Sequence, residues 1–252
     1  MQSPRNFKPY VVSLAVLCMM LPFIQVKAQF YIGAEGGYNK NYAVTNNSNR
    51  AFTNYKPLSG FNAGIPIQYR VNTWLTIAAD PSYMQENYRQ ERSAFFAGVY
   101  QNTYNSYIGL PLTAHIVFGG KRLKGFAEAG ISVAYWASSR VKGVMPDILD
   151  IASGTGNGST ILSYENPYSY NEKHVFDSKA DNRFQAAWVG GLGITYDINK
   201  RFQVFAAGRI LYDFTDQQKN YEINQVPRYN TTYSIYAGVI TPLKLNLKKN
   251  KK

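Results

Sequence analysis

The strongest constraint in this sequence is an alternation of apolar and polar residues that recurs in eight long runs after residue 28. In the last run, Tyr233 and Ile235 lie on one face of an extended chain, whereas Ser234 and Asn230 lie on the other. A period of two residues indicates β-strands, because successive side chains leave opposite faces of the pleat. The last run exceeds the ~5–6 residues of a typical soluble strand. It suits a tilted strand that crosses a bilayer, which needs ~9–11 residues.

The runs predict an all-β fold, an eight-stranded antiparallel up-and-down transmembrane β-barrel with short periplasmic turns and long extracellular loops. Short and long connections alternate, as expected when antiparallel neighbours cross a membrane repeatedly. An even number of strands lets the sheet close and lose the unpaired edges that lipid cannot satisfy. The predicted strands span residues 30–40, 58–71, 74–86, 104–118, 125–138, 183–198, 202–214 and 228–243. The predicted long loops span residues 41–57, 87–103, 139–182 and 215–227.

The first 28 residues have the composition of a secretory signal peptide. Two basic residues precede the apolar stretch 11–24, which is too short to anchor the chain in a bilayer. The sequence Val26-Lys27-Ala28 approximates a signal-peptidase cleavage pattern, and we expect the mature chain in the outer membrane of a Gram-negative cell. The predicted domains are a signal peptide at 1–28, an outer-membrane β-barrel at 29–247 and a basic C-terminal tail at 248–252.

Aromatic content and charge indicate the surroundings of the barrel. The chain has 21 tyrosines, 14 phenylalanines and 3 tryptophans, an excess typical of interfacial aromatic girdles. Its formal charge of +12 falls to +9 when Arg5, Lys8 and Lys27 leave with the signal peptide. In an exported chain this charge favours anionic headgroups or acidic glycans over nucleic acid. We expect outer-membrane lipid or lipopolysaccharide as a partner, a protein or glycan partner at the extracellular loops, and no nucleic acid.

The polar face of the strands carries acids and bases that a narrow barrel must enclose. Side chains largely fill an eight-stranded barrel, and a buried unpaired charge is costly. We expect Glu35 and Asp80 to pair with Arg209. We expect Glu128 and Asp197 to pair with Arg70. The predicted charge network of the barrel interior, which has a structural role, comprises Glu35, Arg70, Asp80, His115, Glu128, Asp197, Arg209 and Asp213. Large side chains expected on the same face are Tyr31, Trp74, Tyr107, Trp136, Phe205 and Tyr236.

The residue types do not support catalysis, a metal site or a cofactor. A membrane-barrel hydrolase needs a Ser–His–acid group near the outer interface. Of the two histidines, His115 is predicted on the inner face of a strand, and His174 is predicted in a long loop near Asp177 and Ser178. No spacing of His, Cys or carboxylate residues indicates a metal site. The Gly-rich stretch 154–158 lacks the Lys-Ser/Thr pair of a phosphate-binding loop, so we expect no cofactor.

Alternative interpretations remain open at this point. A secreted lipocalin also has eight strands, but its inner face is apolar, so the charged face of this chain would have to meet solvent. A narrow, non-specific porin has the predicted barrel topology with an open lumen. The sequence favours a structural or interaction module that acts through its extracellular loops, without catalysis.

Four stretches carry a family resemblance. They are the opening stretch 30–39 (FYIGAEGGYN), 107–112 (YIGLPL), 125–130 (GFAEAG) and 190–194 (GGLGI). Together they resemble the small outer-membrane β-barrel proteins of the PorT-like family, often labelled "porin family", over most of the mature chain. The resemblance implies an eight-stranded barrel and no catalytic residue. One branch of that family assists type IX protein secretion, so an accessory role in secretion is a further expectation.

Overall fold

The computed structural model describes residues 29–45, 53–93, 98–145, 168–219 and 227–243. These residues form one antiparallel sheet of twelve strands. Within the described ranges no helix has the length and hydropathy needed to span a membrane. The expected signal peptide 1–28, the basic tail 248–252 and the Gly-rich stretch 154–158 lie outside the described residues.

The predicted strands are present in the sheet, several of them with different ends. The strands are β1 (Gln29–Val44), β2 (Thr53–Gly64), β3 (Ile67–Arg70), β4 (Leu75–Ala79), β5 (Ser82–Gln85), β6 (Tyr88–Arg92), β7 (Tyr100–Gly119), β8 (Leu123–Met145), β9 (Tyr168–Lys173), β10 (Phe184–Asp197), β11 (Gln203–Asp213) and β12 (Tyr229–Leu243). The predicted strand 58–71 corresponds to β2 and β3. The predicted strand 74–86 corresponds to β4 and β5.

Both of these predicted strands are interrupted at a proline. Ile65 and Pro66 separate β2 from β3, and Asp80 and Pro81 separate β4 from β5. Proline has no backbone N–H, so it interrupts a hydrogen-bond ladder. Contacts across the gaps nevertheless continue: Gly33 donates to the Pro66 carbonyl at 3.0 Å, and Ile65 donates to the Pro81 carbonyl at 3.0 Å. We therefore treat β2–β3 and β4–β6 each as one interrupted strand.

The strand pairings form a closed ring. β1 pairs with β12 on one side and with β2 and β3 on the other. β7 pairs with β4, β5 and β6 on one side and with β8 on the other. β8, β10, β11 and β12 follow one another as antiparallel neighbours. β9 pairs with β8 beyond the end of β10, so β9 and β10 share one position beside β8. With the interrupted strands counted once, eight strand positions surround the axis, and the sheet closes as lipid requires.

At the end opposite the short turns, the strands extend further than predicted. β6 and β9 lie in stretches expected to be loops, and β8 continues to Met145. β9 pairs with the end of β8, from Lys173 opposite Arg140 to Tyr168 opposite Met145. The loop boundaries predicted for 87–103 and 139–182 are therefore wrong. These strands lack apolar alternation because beyond the lipid neither face has to be apolar.

The short turns gather at the other end and have a local cause in the sequence. Asn72 Oδ1 accepts the Leu75 N–H at 2.7 Å, and Asn199 Oδ1 accepts the Phe202 N–H at 2.9 Å. Asparagine favours such turns because its side chain replaces a backbone acceptor. Gly119 begins the β7–β8 turn with φ of 117°, a value that other residues rarely adopt.

The alternation divides the side chains between two faces as predicted, with one exception. Large apolar side chains on the outer face are exposed, among them Phe61, Ile108, Ile131, Trp188 and Ile235. The inner face carries mostly polar buried side chains, which does not fit the apolar interior of a lipocalin. The prediction that Trp74 lies inside is wrong. Trp74 is 53% exposed, because it belongs to the turn before β4 and its direction is not set by the pleat.

β11 shows how the interior is filled from one end to the other. Its inward residues, starting at the short turns, are Gln203, Phe205, Ala207, Arg209, Leu211 and Asp213. Phe205 and Ala207 belong to an apolar cluster with Tyr31, Phe126, Tyr236 and Ile240. Leu211 belongs to a second apolar cluster with Met84, Ala187 and Val189. Apolar and polar layers therefore alternate along the axis, and Arg209 lies between the two apolar layers.

The two faces predict opposite responses to a new charge at neighbouring positions of β8. Ile131 is 43% exposed on the outer face, whereas Ser132 is 3% exposed inside and lines a cavity together with Glu35. Ile131→Arg should reduce the yield of folded protein in liposomes strongly, because an arginine at mid-membrane facing lipid costs ~2–4 kcal/mol. Ser132→Arg should reduce it less, although crowding adds a cost. Heat-modifiable gel mobility measures both yields, and equal yields would contradict the assigned faces.

Candidate functional site

Arg209 forms the centre of a charge network inside the barrel. Its Nε and Nη2 atoms donate to the two carboxylate oxygens of Glu128 at 2.7 and 2.9 Å. Nη2 also donates to Asp80 Oδ2 at 2.8 Å. The guanidinium carbon lies 4.6 Å from the centre of the Tyr236 ring, and the Tyr236 hydroxyl donates to Glu128 at 3.1 Å. The forked guanidinium thus connects β11 with β8 and with the β4–β5 junction.

His115 joins this network from β7 without forming a catalytic relay. Its Nε2 lies 3.2 Å from Glu128 Oε2 and 2.9 Å from Thr113 Oγ1, and its ring stacks on Phe126 at 5.1 Å between centroids. In a Ser–His–acid triad the nucleophile contacts one ring nitrogen and the acid contacts the other. Here both contacts fall on Nε2. The geometry is that of a packed interior histidine.

His174 also lacks the geometry of a relay. It follows β9, and its Nε2 lies 3.0 Å from Asp181 Oδ2. The imidazole stacks on the Trp136 indole at 5.7 Å and meets the edge of Phe176 at 5.2 Å. Asp177, which the sequence placed near this histidine, donates its backbone N–H to Asp181 instead. His174 therefore belongs to an aromatic cluster with Trp136 and Phe176.

Arg70 and Asp197 lie near the short turns, away from Arg209. Arg70 Nη1 donates to the Tyr31 hydroxyl at 2.9 Å, and Nη2 donates to Gln203 Oε1 at 3.3 Å. Asp197 accepts a bond from Lys124 at 2.7 Å and another from Gln203. Arg70, Tyr31, Asp197 and Gln203 line a cavity of about 420 Å³ at the end with the short turns.

The pairings therefore differ in part from those expected from the sequence. The expected contact of Asp80 with Arg209 is present, but Glu128 contacts Arg209 and not Arg70. Asp197 pairs with Lys124 and not with Arg70. Glu35 lines a cavity with Arg209 but forms no ion pair within the described part of the chain. The stagger between tilted strands explains the difference, since it places Glu128 at the level of Arg209 and leaves Arg70 nearer the turns.

A second polar cluster, the Glu86 ring, fills the outer half of the lumen. It consists of Glu86, Asn41, Asn230 and Thr232, each at most 3% exposed. Asn41 Nδ2 donates to Asn230 Oδ1 at 2.9 Å, and Asn230 Nδ2 donates to Glu86 Oε2 at 2.8 Å. Thr232 Oγ1 lies 2.7 Å from Glu86 Oε1 and 3.0 Å from Asn41 Oδ1. The four side chains form a closed circle of contacts.

A count of hydrogens in this ring assigns a proton to Glu86. The Thr232 hydroxyl has one hydrogen but faces two oxygens at hydrogen-bond distance. With Glu86 ionised, one of these two contacts has no hydrogen. With a proton on Oε1, Glu86 donates to Thr232, Thr232 donates to Asn41, and every contact in the ring has one donor and one acceptor. Our hypothesis is that Glu86 is neutral in the folded barrel.

Asp213 lies beside the Glu86 ring and strengthens this interpretation. The two carboxyl groups line one small cavity, and Asp213 Oδ2 has no hydrogen-bond partner among the described atoms. No lysine, arginine or histidine of the described ranges forms an ion pair with either group. Two neighbouring negative charges repel each other, so a neutral Glu86 also relieves Asp213.

A cavity of about 300 Å³, the outer pocket, opens at the end of the barrel opposite the short turns. Its walls come from β2, β6, β7 and β9 and from the residue before β12. They are rich in tyrosine, amide and arginine side chains, namely Tyr55, Gln90, Arg92, Gln101, Tyr170 and Arg228.

Hydrogen bonds between the walls hold the outer pocket in shape. Gln90 Nε2 donates to the Tyr55 hydroxyl at 3.0 Å, and Gln101 Nε2 donates to Gln90 Oε1 at 3.3 Å. The Tyr170 hydroxyl donates to Gln101 Oε1 at 2.9 Å. Burial raises the pKa of Tyr170, so this hydroxyl remains a donor at neutral pH. The chain of bonds connects four strands across the mouth of the barrel.

Two arginines give the outer pocket a positive charge. Arg92 Nη1 donates to Thr53 Oγ1 at 2.7 Å, and Arg228 Nη1 donates to the Tyr88 hydroxyl at 2.9 Å. Arg228 Nε has no hydrogen-bond partner among the described residues. None of the lining residues in the described ranges is an acid. The carboxylate of Asp216 lies close by and accepts the Arg228 backbone N–H at 2.9 Å.

The sequence analysis did not predict the outer pocket, and it did not predict which residues contact Glu86. Tyr55, Gln90 and Tyr170 fell in predicted loops, where no alternation indicates which way a side chain points. Glu86 ends the predicted strand 74–86 on the same face as Asp80, but its partners come from β1 and β12, and the sequence does not fix the stagger that brings them together. In the part of the chain that the structure describes, no group of three or more His, Cys, Asp or Glu residues could hold a metal ion.

The family model of the outer membrane protein beta-barrel domain matches residues 23–218. The chain belongs to this family. It is therefore a protein of the cell outer membrane, and the closed sheet is its membrane-embedded barrel. The lipocalin alternative is thereby corrected, because the apolar face of the sheet meets lipid and the polar face lies inside.

Three solved structures that resemble this chain are distant from it in sequence. Neisserial surface protein A from Neisseria is 14% identical, with a TM-score of 0.41 and coverage of 86% of this chain and 99% of that chain. OprG from Pseudomonas aeruginosa is 9% identical, with a TM-score of 0.46 and coverage of 86% and 96%. The outer membrane protease OmpT from Escherichia coli is 8% identical, with a TM-score of 0.40 and coverage of 88% and 100%. No curated protein sequence matches this chain.

The proton assigned to Glu86 predicts different effects for two substitutions. Glu86→Gln should leave the free energy of unfolding within ~0.5 kcal/mol of the wild type, because the amide supplies the same donor and acceptor to the ring. Glu86→Ala should lower it by ~1–3 kcal/mol or more, because buried donors and acceptors lose their partners. Urea unfolding in liposomes near neutral pH measures both. A Glu86→Gln loss as large as that of Glu86→Ala would show that Glu86 is ionised.

Proposed function

We propose that the protein is a structural and interaction module of the outer membrane that binds its partner at the extracellular end and catalyses no reaction. The observation that carries this proposal is the contrast between a filled lumen and an open outer pocket. An eight-stranded barrel leaves little space between its own side chains. A ligand therefore has access to the ends of the barrel and not to its centre.

Three layers support the closed lumen on which this proposal depends. The apolar cluster around Phe205 and Tyr236 fills the half nearer the short turns. The Arg209 network crosses the middle, and the Glu86 ring follows towards the outer pocket. Each polar layer is held by direct side-chain bonds, so water has no continuous row of free groups to follow.

Lipid and lipopolysaccharide are proposed partners of the outer face. Tyr42 and Tyr233 meet edge to face at 5.6 Å between ring centroids, and both are exposed on the lipid side. Tyr104 is exposed on the same side, and the Lys142 ammonium lies 5.8 Å from its ring centre. Aromatic rings at an interface, with a cation just beyond them, suit the boundary between acyl chains and anionic headgroups. We also propose that residues 1–28 are a cleaved signal peptide and that residues 248–252 form a periplasmic tail.

An accessory role in type IX secretion, suggested by the PorT-like resemblance, is the second candidate. The observation that favours a protein partner is the edge of β9, which pairs with β8 and with no other described strand. Its residues, Tyr168–Lys173, are mostly exposed above the membrane. An unpaired strand edge is a template for strand addition by another chain.

Affinity capture with the full chain from detergent-solubilised outer membrane distinguishes these candidates. A matched control carries Lys173→Pro, which removes a backbone donor from the end of β9, three residues from the pocket residue Tyr170. Stoichiometric co-purification of one secretion protein, lost in the control, supports the accessory role. Recovery of glycan or lipid that the control retains supports the recognition module. Recovery of neither from a folded barrel contradicts both.

The closed lumen also predicts transport behaviour and separates the module from the narrow porin. Purified monomer in a planar bilayer should give little or no stable ion conductance, because side chains and ion pairs block the axis. A porin of 16–18 strands keeps an aqueous channel and provides the positive control. Frequent, uniform and long-lived conductance steps from the monomer would overturn the closed lumen and favour the porin alternative.

A further inference from the structure

We propose that the outer pocket binds a saccharide unit that carries an anionic group such as a sulfate, phosphate or carboxylate. This inference rests on the proposed function, which places recognition at the extracellular end, and it names the class of ligand and the residues that bind it. The anionic group would meet Arg92 and Arg228, and the sugar ring would lie against the tyrosines of the pocket.

The arginines have the donors that an anionic group requires. A guanidinium presents five N–H groups in a planar fork, which matches the oxygens of carboxylate, sulfate and phosphate groups. Arg92 has one side-chain bond within the described part of the chain, to Thr53, so most of its fork is available to a ligand. Arg228 lines the pocket and uses Nη1 on Tyr88, and its Nε is buried, so its contribution to the pocket is its positive charge. Charge-assisted bonds of this kind are roughly twice as strong as neutral ones.

Acids near the pocket do not cancel this charge. Glu91 follows Gln90 on β6 but faces outward, where it contacts Lys56 at 2.5 Å and Arg89 at 2.7 Å. The hydrogen bond from Lys56 lowers the pKa of Glu91, so this acid stays ionised and paired with its own two cations. Asp216 offsets part of the charge of Arg228 from one side. Glu172 is an exposed acid two residues after Tyr170 on β9, and its charge also acts on the Tyr170 hydroxyl. Arg92 forms no ion pair within the described ranges, so its charge is available to a ligand.

The remaining walls suit a sugar ring. Tyr55 and Tyr170 supply aromatic surface against which the apolar face of a pyranose can stack. The amides of Gln90 and Gln101 carry both donors and acceptors, as hydroxyl groups require. The volume of about 300 Å³ lies at the small end of the ~300–1,000 Å³ range of ligand pockets, which limits the ligand to one or two rings.

Ligands of other classes fit the pocket less well. A neutral sugar leaves the positive charges of Arg92 and Arg228 without an anion to balance them. A bare inorganic anion leaves the tyrosine surfaces uncovered. A lipid chain would have to bury the arginines and glutamines against hydrocarbon, which is costly for polar groups. The combination of a ring and an anion satisfies both kinds of wall together.

Calorimetric titration of the full chain, folded in detergent micelles at about 0.15 M salt, tests the inference with three probes. Glucose 6-sulfate carries ring and anion, glucose carries the ring alone, and sodium sulfate carries the anion alone. We expect glucose 6-sulfate to bind at least about tenfold more tightly than either of the others. Equal affinity for sodium sulfate would overturn the saccharide assignment, and equal affinity for glucose would overturn the role of the arginines. No binding of any probe would refute the site.

Single substitutions locate the binding to the outer pocket. Arg92→Gln should weaken the affinity for glucose 6-sulfate about tenfold and leave the affinity for glucose unchanged. Arg140→Gln is the matched control, because Arg140 is an exposed arginine on β8 that does not line the pocket. Arg92 is also exposed, so its replacement should not prevent folding, and heat-modifiable mobility checks this. Equal losses in the two variants would place the binding outside the pocket.

The binding experiments can fail or succeed independently of the affinity capture that tests the proposed function. If glucose 6-sulfate does not bind but affinity capture recovers a partner at the extracellular end, the ligand class is wrong and the interaction module stands. If capture recovers no partner but the pocket binds the probe with loss in Arg92→Gln, the ligand class stands by direct measurement.

Discussion

Every backbone group of a sheet in lipid must find a partner within the protein, and the rest of this structure depends on that requirement. The prolines make this requirement harder to meet, because each proline lacks the backbone N–H donor that the hydrogen-bond ladder uses. Here the carbonyl of Pro66, Pro81 or Pro111 accepts a bond from a neighbouring strand at each break, at 3.0 Å in all three cases. The break beside Pro81 leaves Asp80 buried against Arg209, so the interruption positions a member of the charge network.

Closure at eight strand positions has a direct consequence for the interior. The lumen is narrow, and the charged residues that alternation places inside it cannot be hydrated fully. Arg209 resolves this by bonding Glu128 and Asp80 together, and loss of one partner from such a buried group costs ~3–5 kcal/mol. Within the described ranges the Glu86 ring has no cation, and our hypothesis gives Glu86 a proton instead. On that hypothesis an ion pair neutralises the first polar layer and a proton neutralises the second.

The sequence predicts the faces well and the contacts poorly, and the reason is geometrical. Lipid imposes the period of two, so the directions of Ile131 and Ser132 follow from the pattern alone. Trp74 does not follow this pattern, because it lies in a turn, where the pleat does not set the direction of the side chain. The partner of Glu128 depends on the stagger of β8 against β11, which no local pattern encodes. The pocket residues lie beyond the lipid, where neither face of a strand has to be apolar. The alternation that predicts the barrel therefore does not predict the directions of Tyr55 and Tyr170.

The physical rule that fills the lumen also explains why the outer end is the place for recognition. Inside the membrane most polar side chains of the lumen are bound to one another, as in the Arg209 network and the Glu86 ring. At the mouth, water meets the groups that the barrel leaves unpaired, and Arg92 keeps most of its donors. Arg228 adds its positive charge to the same mouth, although its Nε atom is shielded from solvent. A guanidinium with available donors at a water-filled mouth can bond a ligand without first breaking a bond that holds the barrel together.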